Sequence, residues 1–176
     1  PYQALTKHGY THFFQNILSH PQIDVYLGVD YFEFIKLYEN EKWKFERVIY
    51  TGPIDHYFSL SRYEKLEYRS IKFKTINFRN KSFYQTNAVV NYPNGLEKFT
   101  RIVEFKHLLS QHSPHTTIVQ EFPSDEGEPF YPVPNNRNIE LYKKYQKMAT
   151  REEKLKNIHF IGRLANYKYM NMDEAV

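Results

Sequence analysis

Hydrophobic and polar residues alternate along this chain with two different periods. Between His8 and His20, Phe13, Phe14, Ile17 and Leu18 fall three and four residues apart, which predicts an amphipathic helix stopped by Pro21. Ile23, Val25 and Leu27 then alternate with other residues and predict a strand. Lys44 to Tyr50 leads into Val48-Ile49-Tyr50, a short buried strand ended by the Gly52-Pro53 turn. From Leu66 to Phe78 the period is two again, with Arg69, Ile71 and Phe73 on one face. Ala88 to Asn91 predicts a further strand before Pro93-Asn94-Gly95. Thr100 to Lys106 places Arg101, Val103 and Phe105 on one face, and Thr116 to Phe122 predicts a strand closed by Pro123 and an acidic loop over 124–128. The helical period returns from Asn138 to Ala149, with Ile139, Tyr142, Tyr145 and Met148 as its stripe. Asn157 to Ile161 predicts a last strand. Antiparallel-type strands with flanking helices give a mixed α/β or α+β fold.

Composition narrows this picture. Hydrophobic residues make up 41% and charged residues 25% of 176, so the chain is globular rather than disordered. The net charge of +4 is spread along the sequence and forms no basic block, which argues against nucleic acid and leaves room for a small anionic ligand. Sixteen Tyr and 14 Phe make the chain rich in aromatic rings, and tyrosine combines an apolar body with a hydroxyl suited to sugars and nucleotides. The absence of Cys removes disulfides, thiolate nucleophiles and cysteine–zinc sites. Neither a signal peptide nor a run of about 18 apolar residues is present, so the expected setting is cytoplasmic, without membrane insertion. The chain opens on Pro1 and closes on what reads as the start of a helix, so we expect a fragment of a longer protein.

Two arginines share strand faces with apolar residues: Arg69 with Ile71 and Phe73, and Arg101 with Val103 and Phe105. A guanidinium on such a face needs an anion, because an unpaired buried charge is costly. That anion is either a carboxylate, such as Glu104, Glu121 or Glu128, or a phosphate, which arginine grips with two parallel N–H groups. Further on, Ile158 to Arg163 reads strand, glycine, arginine, and Asn171-Met172-Asp173-Glu174 reads as a capped helix start. The eight histidines show no metal-binding spacing, and His112 and His115 belong to a loop. No GxSxG, Walker A or GxGxxG occurs.

Longer stretches carry more. Tyr50-Thr51-Gly52-Pro53-Ile54-Asp55, Leu66-Glu67-Tyr68-Arg69-Ser70, Thr100 to His107 (TRIVEFKH), Glu128 to Val133 (EPFYPV), and Gly162-Arg163-Leu164 through Tyr167 to Asp173 (YKYMNMD) occur in that order. The series resembles the motifs of bacterial UDP-galactopyranose mutases, and the opening Tyr2-Gln3 with Gly9-Tyr10-Thr11 resembles the end of that family's substrate domain. The resemblance spans nearly the whole chain.

The resemblance implies a Rossmann-type FAD-binding domain, a helical substrate domain and a connecting antiparallel sheet. Residues 1–22 would end the helical substrate domain. Residues 23–176 would hold the sheet and the returning part of the flavin-binding domain. The implied activity is interconversion of UDP-galactopyranose and UDP-galactofuranose, which supplies galactofuranose for cell-surface polysaccharides. It runs by covalent catalysis at N5 of reduced FAD with no net redox change and no protein nucleophile. By the same resemblance Tyr2, Arg101, Tyr131 and Tyr169 bind the substrate diphosphate, and Arg69, Arg163, Asn171 and Met172 contact the cofactor. The family usually carries Asp where this chain has Asn171, and Tyr where it has Phe130. The family's Gly-rich dinucleotide fingerprint falls outside this sequence, so residues 1–176 alone are expected to lack tight FAD binding and turnover. A homo-oligomer is compatible with the sequence. Two other readings stay open: a non-catalytic module binding nucleotide sugars or polyanions, and an amine-oxidase-like flavoenzyme, against which the Thr-Arg and Pro-Phe-Tyr-Pro motifs weigh.

Overall fold

The computed structural model describes residues 5–38, 45–109 and 111–175. The chain divides into two compact units. The first takes Pro1–Lys44, Asn77–Ala88 and Glu104–Thr117; the second takes Phe45–Ile76, Val89–Val103 and Ile118–Val176.

The first unit opens with helix α1, Gly9–Leu18, where the helical spacing predicts one. None of its residues is buried, and Phe13, Phe14 and Ile17 are exposed. The strand predicted over Ile23, Val25 and Leu27 does not form. These residues are irregular and exposed. Alternation alone makes no strand; it needs a partner to take its backbone N–H and C=O groups. Helix α2, Tyr31–Tyr38, follows, started by Asp30, whose Oδ1 accepts from the N–H of Phe32 at 2.9 Å and of Glu33 at 3.1 Å.

The later part of this unit is organised by two buried charges. Glu104 is fully buried. Its carboxylate accepts from the N–H of Tyr84 (2.9 Å) and Gln85 (3.0 Å) and from the Thr116 hydroxyl. Burial pushes this carboxyl up, but those three donors and the nearby His107 outweigh it and hold it below the ordinary glutamate value. The Lys106 ammonium donates to the carbonyls of Ser82 (2.6 Å), Ser113 (2.5 Å) and His115 (3.0 Å). Each charge thus finds its own backbone partners, which is what burial of a charge requires.

The second unit holds two sheets. Strands β1 (Val48–Tyr50) and β7 (Ile158–Phe160) pair in parallel, Val48 opposite Ile158 and Tyr50 opposite Phe160. The larger sheet contains β2 (Tyr68–Phe78), β3 (Val89–Asn91), β4 (Arg101–Val103), β5 (Thr116–Ser124) and β6 (Tyr131–Pro132), in the order β3-β4-β5-β2-β6. Antiparallel pairing sets Asn91 opposite Arg101, Arg101 opposite Glu121, and Arg69 opposite Tyr131. Strand β4 is shorter than the alternation predicts. After Val103 the chain turns into one 3₁₀ turn, Phe105–His107, so Phe105 leaves the strand face and is exposed. Pro123 does not close β5, which runs on to Ser124.

Helix α4, Asn136–Lys156, is longer than the predicted 138–149. Asn135 caps it, its Oδ1 accepting from Asn138 N at 2.8 Å. Asn157 ends it in the left-handed conformation (φ 56°), its N–H returned to Glu153 O at 3.0 Å. The added turns carry charges with little apolar surface and are supported by the Glu152–Lys156 pair, four residues apart at 2.9 Å. The buried stripe is Asn138, Leu141, Tyr145 and Ala149, so Tyr145 is as predicted while Ile139 is exposed. Asn138 turns inward because its amide donates to Glu67 Oε2 and Val133 O, both at 2.9 Å. Leu141, Tyr145 and Ala149 pack with Ile54 and Phe58 from the segment around α3 (Ile54–Tyr57), and with Leu66 and Tyr167. Full burial of a side chain such as Ile54 stabilises by roughly 1.5–3 kcal/mol.

Candidate functional site

A cleft of about 260 Å3 opens on the larger sheet. It is lined by Arg69, Arg101, Glu121, Tyr131 and Tyr169 among others. The register explains the grouping. Arg101 stands on β4 between Asn91 on β3 and Glu121 on β5, and Tyr131 on β6 lies directly across from Arg69 on β2. Alternation along each strand brings these side chains to the cleft from separate segments of the chain.

The arginines sit on an exposed face rather than against a core. Arg101 and Arg69 are both exposed, as is Phe73. Of the three carboxylates considered from sequence, Glu121 is the neighbour of Arg101, its Oε2 3.7 Å from Nη1; the Glu104 carboxylate is taken by Tyr84, Gln85 and Thr116. That separation is longer than a hydrogen bond. Among the described residues the Arg101 side chain makes one hydrogen bond, from Nε to Asn91 Oδ1 at 3.1 Å. Four guanidinium N–H groups therefore remain for a ligand. Arg69 is ion-paired with Asp125, an exposed residue of the acidic loop that no sequence pattern singles out.

Tyr131 and Tyr169 stack with ring centroids 5.9 Å apart and planes 16° apart, and neither hydroxyl is hydrogen-bonded among the described residues. Two cations and two free phenolic hydroxyls on one cleft form a donor set for an anionic group with several oxygens. A larger hollow of about 1020 Å3 shares Arg69 with the cleft. Its Asp55 is already engaged by Leu66 N (3.2 Å) and by the Tyr68 hydroxyl (2.8 Å), and burial, reinforced by that carboxylate, raises the Tyr68 hydroxyl pKa.

The other sequence-derived residues fall as follows. Tyr2 lies outside the described residues. Arg163 follows Gly162, whose φ of 98° favours glycine. Its Nε and Nη2 donate to Met170 O (3.2 and 2.8 Å), and Nη1 to Phe130 O (3.4 Å). Asn171 stands at the N-terminus of the short helix α5, Met172–Ala175. Its N–H donates to Glu174 Oε2 at 2.7 Å, half of a capping box, while its side chain has no partner among the described residues. Met172 is exposed. Asn171 and Met172 thus offer a free amide and an exposed apolar surface together. Arg69, grouped with them by resemblance, lines the cleft together with Arg101.

Among the described residues no three His, Asp or Glu side chains stand together as metal ligands, and no helix is long and apolar enough to cross a membrane. The structure thus combines a parallel strand pair, an antiparallel sheet and an open cleft lined by arginines and tyrosines. The chain matches the family profile of UDP-galactopyranose mutase over residues 1–169, and it belongs to that family. It is 40% identical over 189 aligned residues to a UDP-galactopyranose mutase of Mycoplasma genitalium, covering 99% of this chain and 45% of the relative. It is 31% identical to a probable UDP-galactopyranose mutase of Klebsiella pneumoniae (99% and 44% covered), and 31% identical to a dTDP-fucopyranose mutase of Escherichia coli (99% and 46%). The chain spans about half the length of the relatives it matches.

Proposed function

We propose that the intact protein interconverts UDP-galactopyranose and UDP-galactofuranose, and that the cleft of Arg69, Arg101, Tyr131 and Tyr169 holds the substrate diphosphate. The observation that carries this reading is the convergence of two arginines and two unpartnered tyrosine hydroxyls on one open cleft in a chain of this family. Arg101 offers its guanidinium donors to the phosphate oxygens, and the tyrosine hydroxyls donate into the same cleft. Tyr2 would join them. Charge grows on the nucleoside diphosphate as it leaves the sugar, so donors fixed in place favour the transition state over bound substrate.

Domain organisation follows the same reading. Residues 1–22 would close a helical substrate domain, and residues 23–176 would supply the sheet and the return of a Rossmann-type flavin domain. The parallel pairing of β1 with β7 supports the latter, because parallel strands characterise such domains. FAD in its reduced form would supply the nucleophile for the anomeric carbon, without net redox change. The free Asn171 amide suits hydroxyl groups, and Met172 offers surface to a ring. Arg163 adds positive charge nearby.

Binding of UDP to the intact natural protein tests the cleft. Arg101→Ala should weaken UDP by one to two decades, since a charge-assisted bond contributes about 1.5–3 kcal/mol. Its melting temperature should change little, because Arg101 is exposed and its carboxylate neighbour is beyond hydrogen-bond distance. Arg101→Lys should recover only part of the affinity. A destabilised variant with unaltered UDP affinity would make Arg101 a structural partner of Glu121.

A further inference from the structure

We propose that Arg163 is a positioning residue: it fixes Tyr131 and Tyr169 side by side so that their hydroxyls reach one anionic ligand. Its guanidinium carbon lies 4.8 Å from the ring centroid of Tyr131 and 4.8 Å from that of Tyr169. Its N–H groups hold the backbone next to each ring, Phe130 O before Tyr131 and Met170 O after Tyr169. One side chain therefore grips both tyrosines twice, through the ring face and through the neighbouring carbonyl.

The two tyrosines need this to different degrees. Tyr131 is anchored by the pairing of β6 with β2. Tyr169 lies in an irregular segment and is 61% exposed, a setting in which a side chain ordinarily samples several rotamers. Among the described residues its ring contacts are the stack on Tyr131 and the Arg163 guanidinium. A planar cation over both rings favours the paired arrangement, and arginine alone combines that plane with a fork of donors. Ordering the pair before the ligand arrives lowers the entropy lost on binding.

The inference rests on the diphosphate reading of the cleft, and a double-mutant cycle separates the two. UDP affinity, melting temperature and flavin absorbance per chain are measured in the intact natural protein for Arg163→Lys, Arg163→Met, the Tyr131→Phe/Tyr169→Phe pair, and the combinations. We expect Arg163→Lys to weaken UDP about tenfold with both hydroxyls present. With both hydroxyls removed the same change should shift affinity by less than about twofold. Equal losses in both backgrounds would mean that Arg163 acts on the ligand or cofactor directly and would overturn the inference. So would a loss of melting temperature alone, or failure of both Arg163 variants to fold. If the Met variant alone fails, Arg163→Lys carries the cycle. Wild-type UDP affinity in the Tyr131→Phe/Tyr169→Phe protein would instead remove the diphosphate reading, and the inference with it.

Discussion

Arg101 and Glu104 are three residues apart and meet opposite fates. Arg101 stays exposed with most of its donors free, while Glu104 is fully buried with its carboxylate occupied. The alternation over Thr100 to Lys106 shows that both residues sit among apolar neighbours, but which one is buried depends on donors far away in sequence. Tyr84 and Gln85 approach Glu104 from a loop that no local pattern connects to it. The same limit hid Asp125 as the partner of Arg69 and the use of Lys106 by three carbonyls. The candidate ligands themselves were legible only as members of a motif series, because a free tyrosine hydroxyl leaves no mark in hydrophobic periodicity. Glu104 also sets a pH dependence. Its folded value is depressed, so its contribution is full above the ordinary carboxylate value and disappears as pH falls through the lower folded one. Glu104→Gln should lower stability at neutral pH by about 1–3 kcal/mol, since two backbone N–H groups lose their charged acceptor. Its melting temperature should also fall less steeply with acid than that of the natural protein. Parallel melting curves for the two proteins from neutral to acid pH would show that the carboxylate is not a stabilising acceptor.

At the scale of elements, periodicity found α1, β1, β2, β3, β5 and β7 to within a few residues; the strands pair recognisable runs, while α1 forms on its spacing with none of its residues buried. It missed α2, although Asp30 and Glu33 stand three apart in the pattern of a helix start. It also gave α4 a stripe that omits Asn138. A buried amide reads as polar, and only the positions of Glu67 and Val133 reveal why it turns inward. The N-terminus of α4 is correspondingly sensitive. Asn135 accepts from Asn138 N with its Oδ1 and donates from Nδ2 to Glu67 at 2.9 Å. Asn135→Ala should lower stability by about 0.5–2 kcal/mol, and Asn135→Ser should restore the cap but not the link to Glu67. Chemical denaturation of the three proteins orders them natural, Ser, Ala; an Ala variant as stable as the natural protein would remove the capping role.

For the whole molecule, the sheet order brings β4, β2 and β6 to a common cleft although their residues are separated by tens of positions in sequence. The proposed role of the cleft rests on that arrangement within a chain of the UDP-galactopyranose mutase family. The arrangement could not be read from alternation, which fixes the face of each strand but not the neighbour it acquires. The most direct measurement is chromatographic. The intact natural protein is incubated with UDP-galactofuranose, once under a reductant such as dithionite and once in air, beside its Arg101→Ala variant. The furanose peak should give way to UDP-galactopyranose in the reduced sample, far more slowly in air, and hardly at all in the variant. An unchanged furanose peak in a reduced, flavin-loaded protein that nevertheless binds UDP would contradict the assignment and leave a nucleotide-sugar binding module in its place.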